Sequence, residues 1–233
     1  MQTTDNLGAN KLTEKELSIA IIGGTGDLGS GLALRWARAG YTIIIGSRSK
    51  DAAEKAATNL AKASGGKVRG EKNRQAADSA DLVVLTVPFS NHGPILDAIR
   101  DSLRGKILVD VTVPLAPPKV MRVKLPAEGS AAKKTQDLLG DEVRVVSAFQ
   151  NIAADLLHDL SATIECEVLV CGNDKAARSE VVELARAAGM TAWHAGPIDN
   201  SAAAEALTSL LIFINKNGPV SHAGIRVTGN PKS

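Results

Sequence analysis

The chain has 233 residues, of which 44% are hydrophobic and 22% charged, a composition typical of one folded domain or one domain with a small appendage. Its formal net charge of +2 argues against nucleic acid or an anionic membrane as a partner, so we expect a small molecule. The polar residues 1–16 predict a loose leader without a secretory signal, and no apolar run is long enough to span a membrane.

The first predicted strand, residues 17–22, is a continuous apolar run of the kind that is buried on both faces of a parallel sheet. A glycine-rich loop follows, and then Leu28, Leu32, Trp36 and Ala39 recur at helical spacing before Gly40. A second strand is predicted at residues 41–45, followed by an alanine-rich helix over residues 51–64. The chain therefore begins with two strand–helix units.

Further strands are predicted at residues 67–70, 82–87, 106–110, 144–147, 167–171 and 191–194, most of them separated by helical patterns. This alternation predicts right-handed crossovers and an α/β fold with a doubly wound parallel sheet. A last helix is predicted over residues 201–216. Its apolar stripe must cover the core, a second subunit or a ligand, and comprises Ala203, Leu207, Leu210, Leu211 and Ile214.

A long loop is predicted between residues 113 and 134, because four prolines interrupt regular structure there: Pro114, Pro117, Pro118 and Pro126. The loop begins just past the strand that ends near Asp110. In an open α/β sheet, ligands bind at that carboxyl end of the strands. Loops of this length are usually functional, so we expect it to take part in binding.

The loop Gly23-Gly24-Thr25-Gly26-Asp27-Leu28-Gly29 fits the pattern GxGxxG in one register and GxxGxxG in another. In both, the missing side chains let the backbone turn sharply and approach a pyrophosphate, whose charge meets the amides that open the helix. Since the loop follows a buried strand and begins an amphipathic helix, we predict dinucleotide binding; the alternative is a purely structural turn.

The end of the second strand indicates which dinucleotide binds. NAD-binding folds usually carry a carboxylate there, whereas this chain has Gly46-Ser47-Arg48-Ser49-Lys50. Ser47 offers a short hydrogen bond, Arg48 a planar fork and Lys50 a point charge, all suited to a 2′-phosphate. We therefore predict NADP(H); the alternative is a solvated basic turn.

Side chains for acid–base, nucleophilic or metal catalysis are not evident in the sequence. The only tyrosine, Tyr41, lies immediately before the second strand and cannot serve in a Tyr-x-x-x-Lys pair, and a GxSxG motif is missing. His92, His158, His194 and His222 lack metal-ligand spacing, and Cys166 and Cys171 fit neither a redox pair nor a zinc knuckle. We interpret the cysteines as buried side chains of a cytoplasmic protein, and we favour direct hydride transfer between two bound redox rings.

Several motifs in order resemble a known family, the NADPH-dependent reductases of the deazaflavin coenzyme F420, also called F420:NADP oxidoreductases. Besides the glycine loop they are Gly46-Ser47-Arg48, Leu85-Thr86-Val87-Pro88, Val146-Ser147-Ala148, Val170-Cys171-Gly172, Ala195-Gly196-Pro197 and Gly224-Ile225-Arg226. The resemblance implies a Rossmann-type NADP-binding domain over residues 17–150 and a small substrate-covering domain over residues 151–233. It also implies a homodimer and direct hydride transfer between NADP(H) and F420.

The resemblance also assigns ligand-binding positions. Those for NADP(H) are Thr25, Gly26, Asp27, Leu28, Ser47, Arg48, Val87, Asn91, Val113 and Ala154. Those for the deazaflavin are Ala148, Phe149, Gln150, Asn151, Ile152 and Ala223. No catalytic side chain and no metal ligand is assigned.

The sequence departs from the family pattern at three places. Phe149-Gln150-Asn151 stands where some members have Leu-His-Thr, Asn91 where a histidine can occur, and Asp27 where asparagine is common; we expect Asp27 to cap its helix. The first two departures leave other acceptors open: an imine, a pterin or a flavin, or no turnover at all in a protein that senses NADP(H).

Cations of the proline-rich loop could guide the anionic tail of F420, or they could form a solvated basic surface. They are Lys119, Arg122, Lys124, Lys133 and Lys134.

Overall fold

Strand β1 (Ser18–Ile22) lies at the centre of the sheet, and its residues pack alternately into two hydrophobic cores. Ile19 and Ile21 enter the core on one face, and Ala20 and Ile22 enter the core on the other. A strand buried on both faces has to be apolar at successive positions. The computed structural model describes residues 17–230, so the predicted leader over residues 1–16 lies outside the described residues.

The remaining elements follow the predicted alternation closely. The other strands are β2 (Thr42–Ser47), β3 (Val68–Lys72), β4 (Leu82–Leu85), β5 (Ile107–Asp110), β6 (Arg144–Ser147), β7 (Val168–Gly172) and β8 (Ala192–Gly196). The helices are α1 (Asp27–Arg38), α2 (Lys50–Ser64), α3 (Asn73–Ser79), α4 (Phe89–Ile99), α5 (Ala131–Leu139), α6 (Ala154–His158), α7 (Lys175–Ala187) and α8 (Ser201–Asn217). Short 3-10 turns lie at Arg100–Leu103 and Ile198–Asn200.

The strands form one eight-stranded sheet in the order β3-β2-β1-β4-β5-β6-β7-β8. The chain winds outward from β1 to β3, returns to the other side of β1, and continues outward from β4. This order confirms the predicted doubly wound α/β fold. It also places a switch point between β1 and β4, where ligands bind at the carboxyl ends of such sheets.

The sheet is not parallel throughout, because β7 runs antiparallel to β6. The two strands overlap only at their ends, where Val146 pairs with Gly172 and Ser147 with Cys171. The start of β7 therefore projects beyond the carboxyl end of β6. The connecting residues 148–167 stay at that edge, close to the switch point.

Two predicted elements differ from the structure. The long loop ends at Ser130, whose hydroxyl accepts a hydrogen bond from the Lys133 amide and caps α5, so residues 131–134 are helical. The predicted stripe of α8 does not face the core as a unit. Leu211 is buried, whereas Leu210 and Ile214 are exposed, and the packed face carries small and polar side chains.

Candidate functional site

The glycine loop after β1 is shaped by close contacts with the segment after β4. Gly23 has φ +83, and a Cβ there would lie 2.7 Å from Val87 Cγ1; a Cβ on Gly29 would lie 2.5 Å from Thr86 Oγ1. Gly26 differs, because a Cβ there would meet only the Gly23 carbonyl oxygen, at 3.5 Å. The missing side chain of Gly26 therefore leaves open room above the loop, as close approach of a pyrophosphate requires.

A first cleft of about 250 Å³ opens over this loop and extends across the ends of β2, β3 and β4. Its lining residues are Gly23, Thr25, Gly26, Ser47, Arg48, Asn73, Thr86, Val87, Pro88, Asn91 and Ile95. Helix α1 begins beneath it, and the Ser30 amide donates to the Gly26 carbonyl as the first backbone bond of the helix. The preceding first-turn amides have no intrahelical acceptor and form a natural anion site.

The cation of the first cleft is Arg48, which forms no ion pair with any residue between 17 and 230. Lys50 lies outside the cleft lining at the start of α2. Its ammonium is 3.7 Å from a Glu54 carboxylate oxygen and 3.8 Å from one of Glu71. Ser47 keeps its hydroxyl hydrogen available, because its Oγ accepts from the Ser49 amide at 3.4 Å. Ser47 and Arg48 are thus the donors placed to meet a phosphate.

A second cleft of about 140 Å³ lies between residues 150–153, helix α8 and the segment around Ala223. Its lining residues are Gln150, Asn151, Ile152, Ala153, Thr208, Leu211, Ile212, Asn215 and Ala223. Asn151 Nδ2 donates to the Ala204 carbonyl at 2.9 Å, and Thr208 Oγ1 donates to the Gln150 carbonyl at 3.0 Å. The Ala223 amide donates to Asn215 Oδ1 at 2.7 Å. These bonds fix three separate chain segments around one cleft.

Other predicted ligand-binding residues lie outside both linings. Gly24 and Gly29 are buried within the loop, and Leu28, Val113 and Ala154 are partly buried near it. Ala148 and Phe149 belong to the core, where the Phe149 ring meets Trp36 edge-to-face at a centroid distance of 5.7 Å. Phe149 has φ +70, which turns the chain so that the next residues, and not this ring, face the second cleft.

The expectation that Asp27 caps helix α1 is wrong. Gly26 occupies the N-cap position, no side chain makes a capping bond there, and Asp27 is the exposed first residue of the helix. Its carboxylate still lies in the first turn, where the helix dipole favours a negative charge.

Asp110 at the end of β5 is bonded to His92 of α4 and to Gln150 of the second cleft, contacts that the sequence does not reveal. Its carboxylate is fully buried and lies 2.8 Å from Nε2 of His92, the neighbour of Asn91 in the chain. The carboxylate also accepts from Thr135 Oγ1 at 2.6 Å and from the Thr112 amide at 3.0 Å. On the other side, Gln150 Nε2 donates to the Asp110 carbonyl at 3.0 Å.

Burial by itself would raise the pKa of Asp110. The hydrogen bond and charge of His92, with the bonds from Thr135 and Thr112, outweigh it and hold the pKa below its ordinary value. The carboxylate is therefore a permanent charge at neutral pH. In the sequence, the only sign of this buried charge is that an aspartate ends an otherwise aliphatic strand.

Glu205 is a second buried carboxyl group. It belongs to α8, is 1% exposed, and contacts the first residues of α5. Its oxygens accept from the Ala131 amide at 2.7 Å and the Ala132 amide at 3.0 Å. Burial raises the pKa of Glu205 to about 8, and the negative charge of Asp110 adds to the rise, although the two amide bonds act in the opposite direction. Glu205 fastens α8 to α5 and so holds one wall of the second cleft.

The raised pKa of Glu205 predicts a pH-dependent stability. The folded protein keeps a proton on Glu205 that the unfolded chain loses above pH 4.5, so between pH 4.5 and about 8 the folded state holds one more proton. The free energy of unfolding should then fall as pH rises, by about 1.4 kcal/mol per pH unit from this group. Urea unfolding of wild type and Glu205→Gln at several pH values checks this: the difference between them should change steadily from pH 5.5 to 7.5, and parallel curves would contradict it.

The cations of the proline-rich loop divide into two groups. Lys119, Arg122 and Lys124 are exposed along the loop. Lys133 and Lys134 lie on α5, where Lys133 pairs with Asp137 at 2.6 Å and Lys134 with Glu128 at 3.7 Å. Only the first group remains available to an anionic partner.

No helix between residues 17 and 230 is long and apolar enough to cross a membrane. Within the same residues, no group of three or more histidine, cysteine, aspartate or glutamate side chains could hold a metal ion.

Comparison with known proteins identifies relatives over nearly the whole chain. Residues 18–114 match the family model described as NADP oxidoreductase, coenzyme F420-dependent. The F420-dependent NADP reductase of Methanocaldococcus jannaschii is 41% identical over 91% of this chain and 98% of its own. The enzyme of the same name from Methanothermobacter thermautotrophicus is 41% identical over 93% of this chain and 97% of its own.

Solved structures give the same result at the level of the fold. A crystal structure from Arthrobacter sp. FB24, described as an F420-dependent NADP-reductase, superposes with a TM-score of 0.78. It is 26% identical and covers 91% of this chain and 99% of its own. The two chains therefore share their fold over nearly their whole length.

Proposed function

This chain belongs to the family of F420-dependent NADP oxidoreductases, and from that membership we propose that it transfers a hydride directly between NADP(H) and the deazaflavin coenzyme F420. The observation that carries the proposal is the pair of clefts that follow the carboxyl ends of the strands, with Asp110 bonded to both His92 and Gln150. Two redox substrates that exchange a hydride need adjoining sites in contact with each other.

The first cleft fits NADP(H). Gly26 leaves room for a pyrophosphate above the amides that open α1, and Ser47 with Arg48 supplies donors for the 2′-phosphate. Val87 and Asn91 line the same cleft on the side of β4, toward the rest of the site. Gly24, Asp27, Leu28, Gly29, Val113 and Ala154 act by shaping the loop and its surroundings, and Lys50 by its charge alone.

We assign the second cleft to the flat ring of the deazaflavin. Gln150, Asn151, Ile152 and Ala223 line it together, although they lie far apart in the sequence. Ala148 and Phe149 support this wall from within the core. We assign residues 17–150 to the NADP-binding part and residues 151–233 to the part that covers the second substrate.

In this proposal the side chains of the site bind and orient the two substrates, and no acid, base or nucleophile is assigned. NADPH supplies the hydride, and oxidised F420 accepts it together with one proton from the solvent while NADP⁺ is released, so the protein needs to hold the two rings together during the hydride step. Asp110 serves this alignment, because its carboxylate fixes His92 beside Asn91 while its carbonyl fixes Gln150.

The test of the function is NADPH oxidation by the purified protein with different acceptors. Rapid bleaching of the oxidised deazaflavin together with loss of NADPH supports the proposal. Turnover only with an imine, a pterin or a flavin would establish a different reductase. Tight NADPH binding without turnover of any acceptor would establish a sensing protein.

The exposed cations Lys119, Arg122 and Lys124 are proposed to guide the anionic tail of F420. Changing all three to glutamine should raise the Michaelis constant for F420 at low salt, with the effect disappearing as salt screens the charges. Lys133→Gln with Lys134→Gln is the matched control, since both side chains are already paired with carboxylates. An unchanged Michaelis constant at low salt in the loop variant would leave the loop as a solvated basic surface.

The exposed apolar face of α8 supports a homodimer. Leu210, Phe213 and Ile214 are 47%, 52% and 41% exposed on successive turns of one helix. A contiguous apolar surface of this kind is typical of subunit interfaces. Light scattering should give twice the chain mass of 24.2 kDa.

We also propose a cytoplasmic location, which the free thiols of Cys166 and Cys171 support.

A further inference from the structure

Asn73 lies in the first cleft, beside the residues that meet the 2′-phosphate in the proposed function. Strands β2 and β3 are parallel neighbours, and Ser47 at the end of β2 pairs in register with Lys72 at the end of β3. Asn73 follows directly, and it lines the cleft together with Ser47 and Arg48. The sheet register thus brings an amide side chain to a basic turn that is distant in the sequence.

The carboxamide of Asn73 has an unused hydrogen-bonding group. Its Oδ1 is buried and has no partner among residues 17–230. This oxygen lies against Gly46, where a Cβ would be 3.1 Å away. Folded proteins seldom leave a buried polar atom unpaired, and such atoms often mark a functional position. Local structure does not account for the residue either, since no side chain makes a capping bond at the start of α3.

The orientation of the carboxamide indicates what it offers to a ligand. The group is planar, with its oxygen and nitrogen on opposite sides of Cγ. An oxygen held against Gly46 therefore turns the nitrogen away from the β2 backbone. Since Asn73 also lines the cleft, its Nδ2 is the group left to donate to a ligand there.

The charges around Asn73 favour an anion at this point. Glu71, an acidic residue of β3 two positions before Asn73, is 3.4 Å from the Arg69 guanidinium and 3.8 Å from the Lys50 ammonium. Its negative charge is thereby balanced. Arg48 remains unpaired with any described residue, so the end of the cleft combines one free cation with the neutral donors of Ser47 and Asn73.

We propose that Asn73 is a specificity-determining residue that donates a hydrogen bond to the 2′-phosphate of the adenosine ribose, and so helps to select NADP(H) over NAD(H). The inference rests on the proposed function, since it requires that the first cleft binds NADP(H). Asn73 completes a group of donors contributed by two strands: Ser47 and Arg48 after β2, and Asn73 after β3. The hydrogen bond from Asn73 depends on the position of a phosphate oxygen, and this requirement adds to the attraction between the phosphate and the charge of Arg48.

The experiment compares 2′,5′-ADP with 5′-AMP as probes, because they differ only in the phosphate concerned. Calorimetric titration of Asn73→Ala should show about tenfold weaker binding of 2′,5′-ADP, the range for a hydrogen bond to a charged group, and unchanged binding of 5′-AMP. Asn73→Asp should lose more, since a carboxylate repels the phosphate. This variant is isosteric, so its thermal melting without ligand shows whether the fold is retained.

Asn91→Ala is the matched control, because it removes the same amide from the same cleft but on the β4 side of the glycine loop. The preference for 2′,5′-ADP over 5′-AMP should stay at the wild-type value in this variant. Salt dependence separates Asn73 from Arg48: loss of a neutral donor leaves the salt slope of 2′,5′-ADP binding unchanged, whereas Arg48→Ala reduces it.

Equal losses for the two probes in Asn73→Ala, or no loss for either, would overturn the role of Asn73. In both cases the wild-type preference for 2′,5′-ADP would persist, and the proposed function would be untouched. A wild-type protein that binds the two probes equally would instead remove the NADP assignment itself, and the inference with it.

Discussion

Replacing Arg48 with alanine is expected to raise the Kd for NADPH by about 100-fold while the Kd for NADH stays within about threefold of its wild-type value. Arg48 is the cation of the first cleft and has no ion-pair partner between residues 17 and 230. A guanidinium can meet two phosphate oxygens at once, and such charge-assisted bonds are stronger than neutral ones. NADH lacks the 2′-phosphate and therefore loses little. Fluorescence titration with both cofactors measures the two constants.

Lys50→Ala is the matched control for Arg48→Ala, because it removes a cation from the same turn. The Lys50 ammonium is already close to Glu54 and Glu71, so its loss should change the Kd for NADPH only about threefold or less. Equal weakening of NADPH and NADH by Arg48→Ala would contradict the assignment of the phosphate site. A larger effect of Lys50 than of Arg48 would contradict it as well.

Replacing Asp110 with alanine is expected to lower the free energy of unfolding by about 3–5 kcal/mol at neutral pH. The change removes a buried carboxylate that pairs with His92 and accepts from Thr135 Oγ1 and the Thr112 amide, in a site that water does not reach. Asp137→Ala on α5 is the control: this carboxylate is half exposed and pairs with Lys133 at the surface, so its loss should cost less than about 1 kcal/mol. Urea unfolding at pH 7 measures both differences.

The effect of Asp110→Ala should diminish in acid. The folded pKa of Asp110 lies below its ordinary value, so its contribution is complete above the ordinary aspartate range and is lost as pH falls through the folded pKa. The difference in stability between wild type and variant should therefore shrink below pH 4. A difference at pH 7 no larger than that of Asp137→Ala would show that the buried network contributes nothing beyond a surface pair.

The sequence predicts the sheet and the first cleft well because both depend on local patterns. β1 is apolar at consecutive positions since it is buried on both faces, and the glycines after it are fixed by contacts within one strand–loop–helix unit. The second cleft was predictable only through the family resemblance. Its walls at Gln150 and Ala223 are brought together by tertiary contacts that no local period encodes.

The features that the sequence does not predict depend on distant contacts or on strand direction. An apolar run is the same in parallel and antiparallel pairs, so the reversal of β7 leaves no local signal. Asp110 and His92 look like ordinary polar residues until β5 and α4 meet. The pattern of α8 likewise gives no sign that Glu205 accepts two amide bonds from α5. In each case a tertiary contact decides what the local pattern does not encode.

The most direct test of the account follows the hydrogen that is transferred. NADPH carrying deuterium at both C4 positions is incubated in ordinary water with oxidised F420 and the protein, and the reduced deazaflavin is analysed by mass spectrometry. Direct transfer between the two rings predicts one deuterium on each reduced ring, because the hydride that moves does not exchange with water. Reduced deazaflavin without deuterium, its hydrogen drawn from water, would contradict the account.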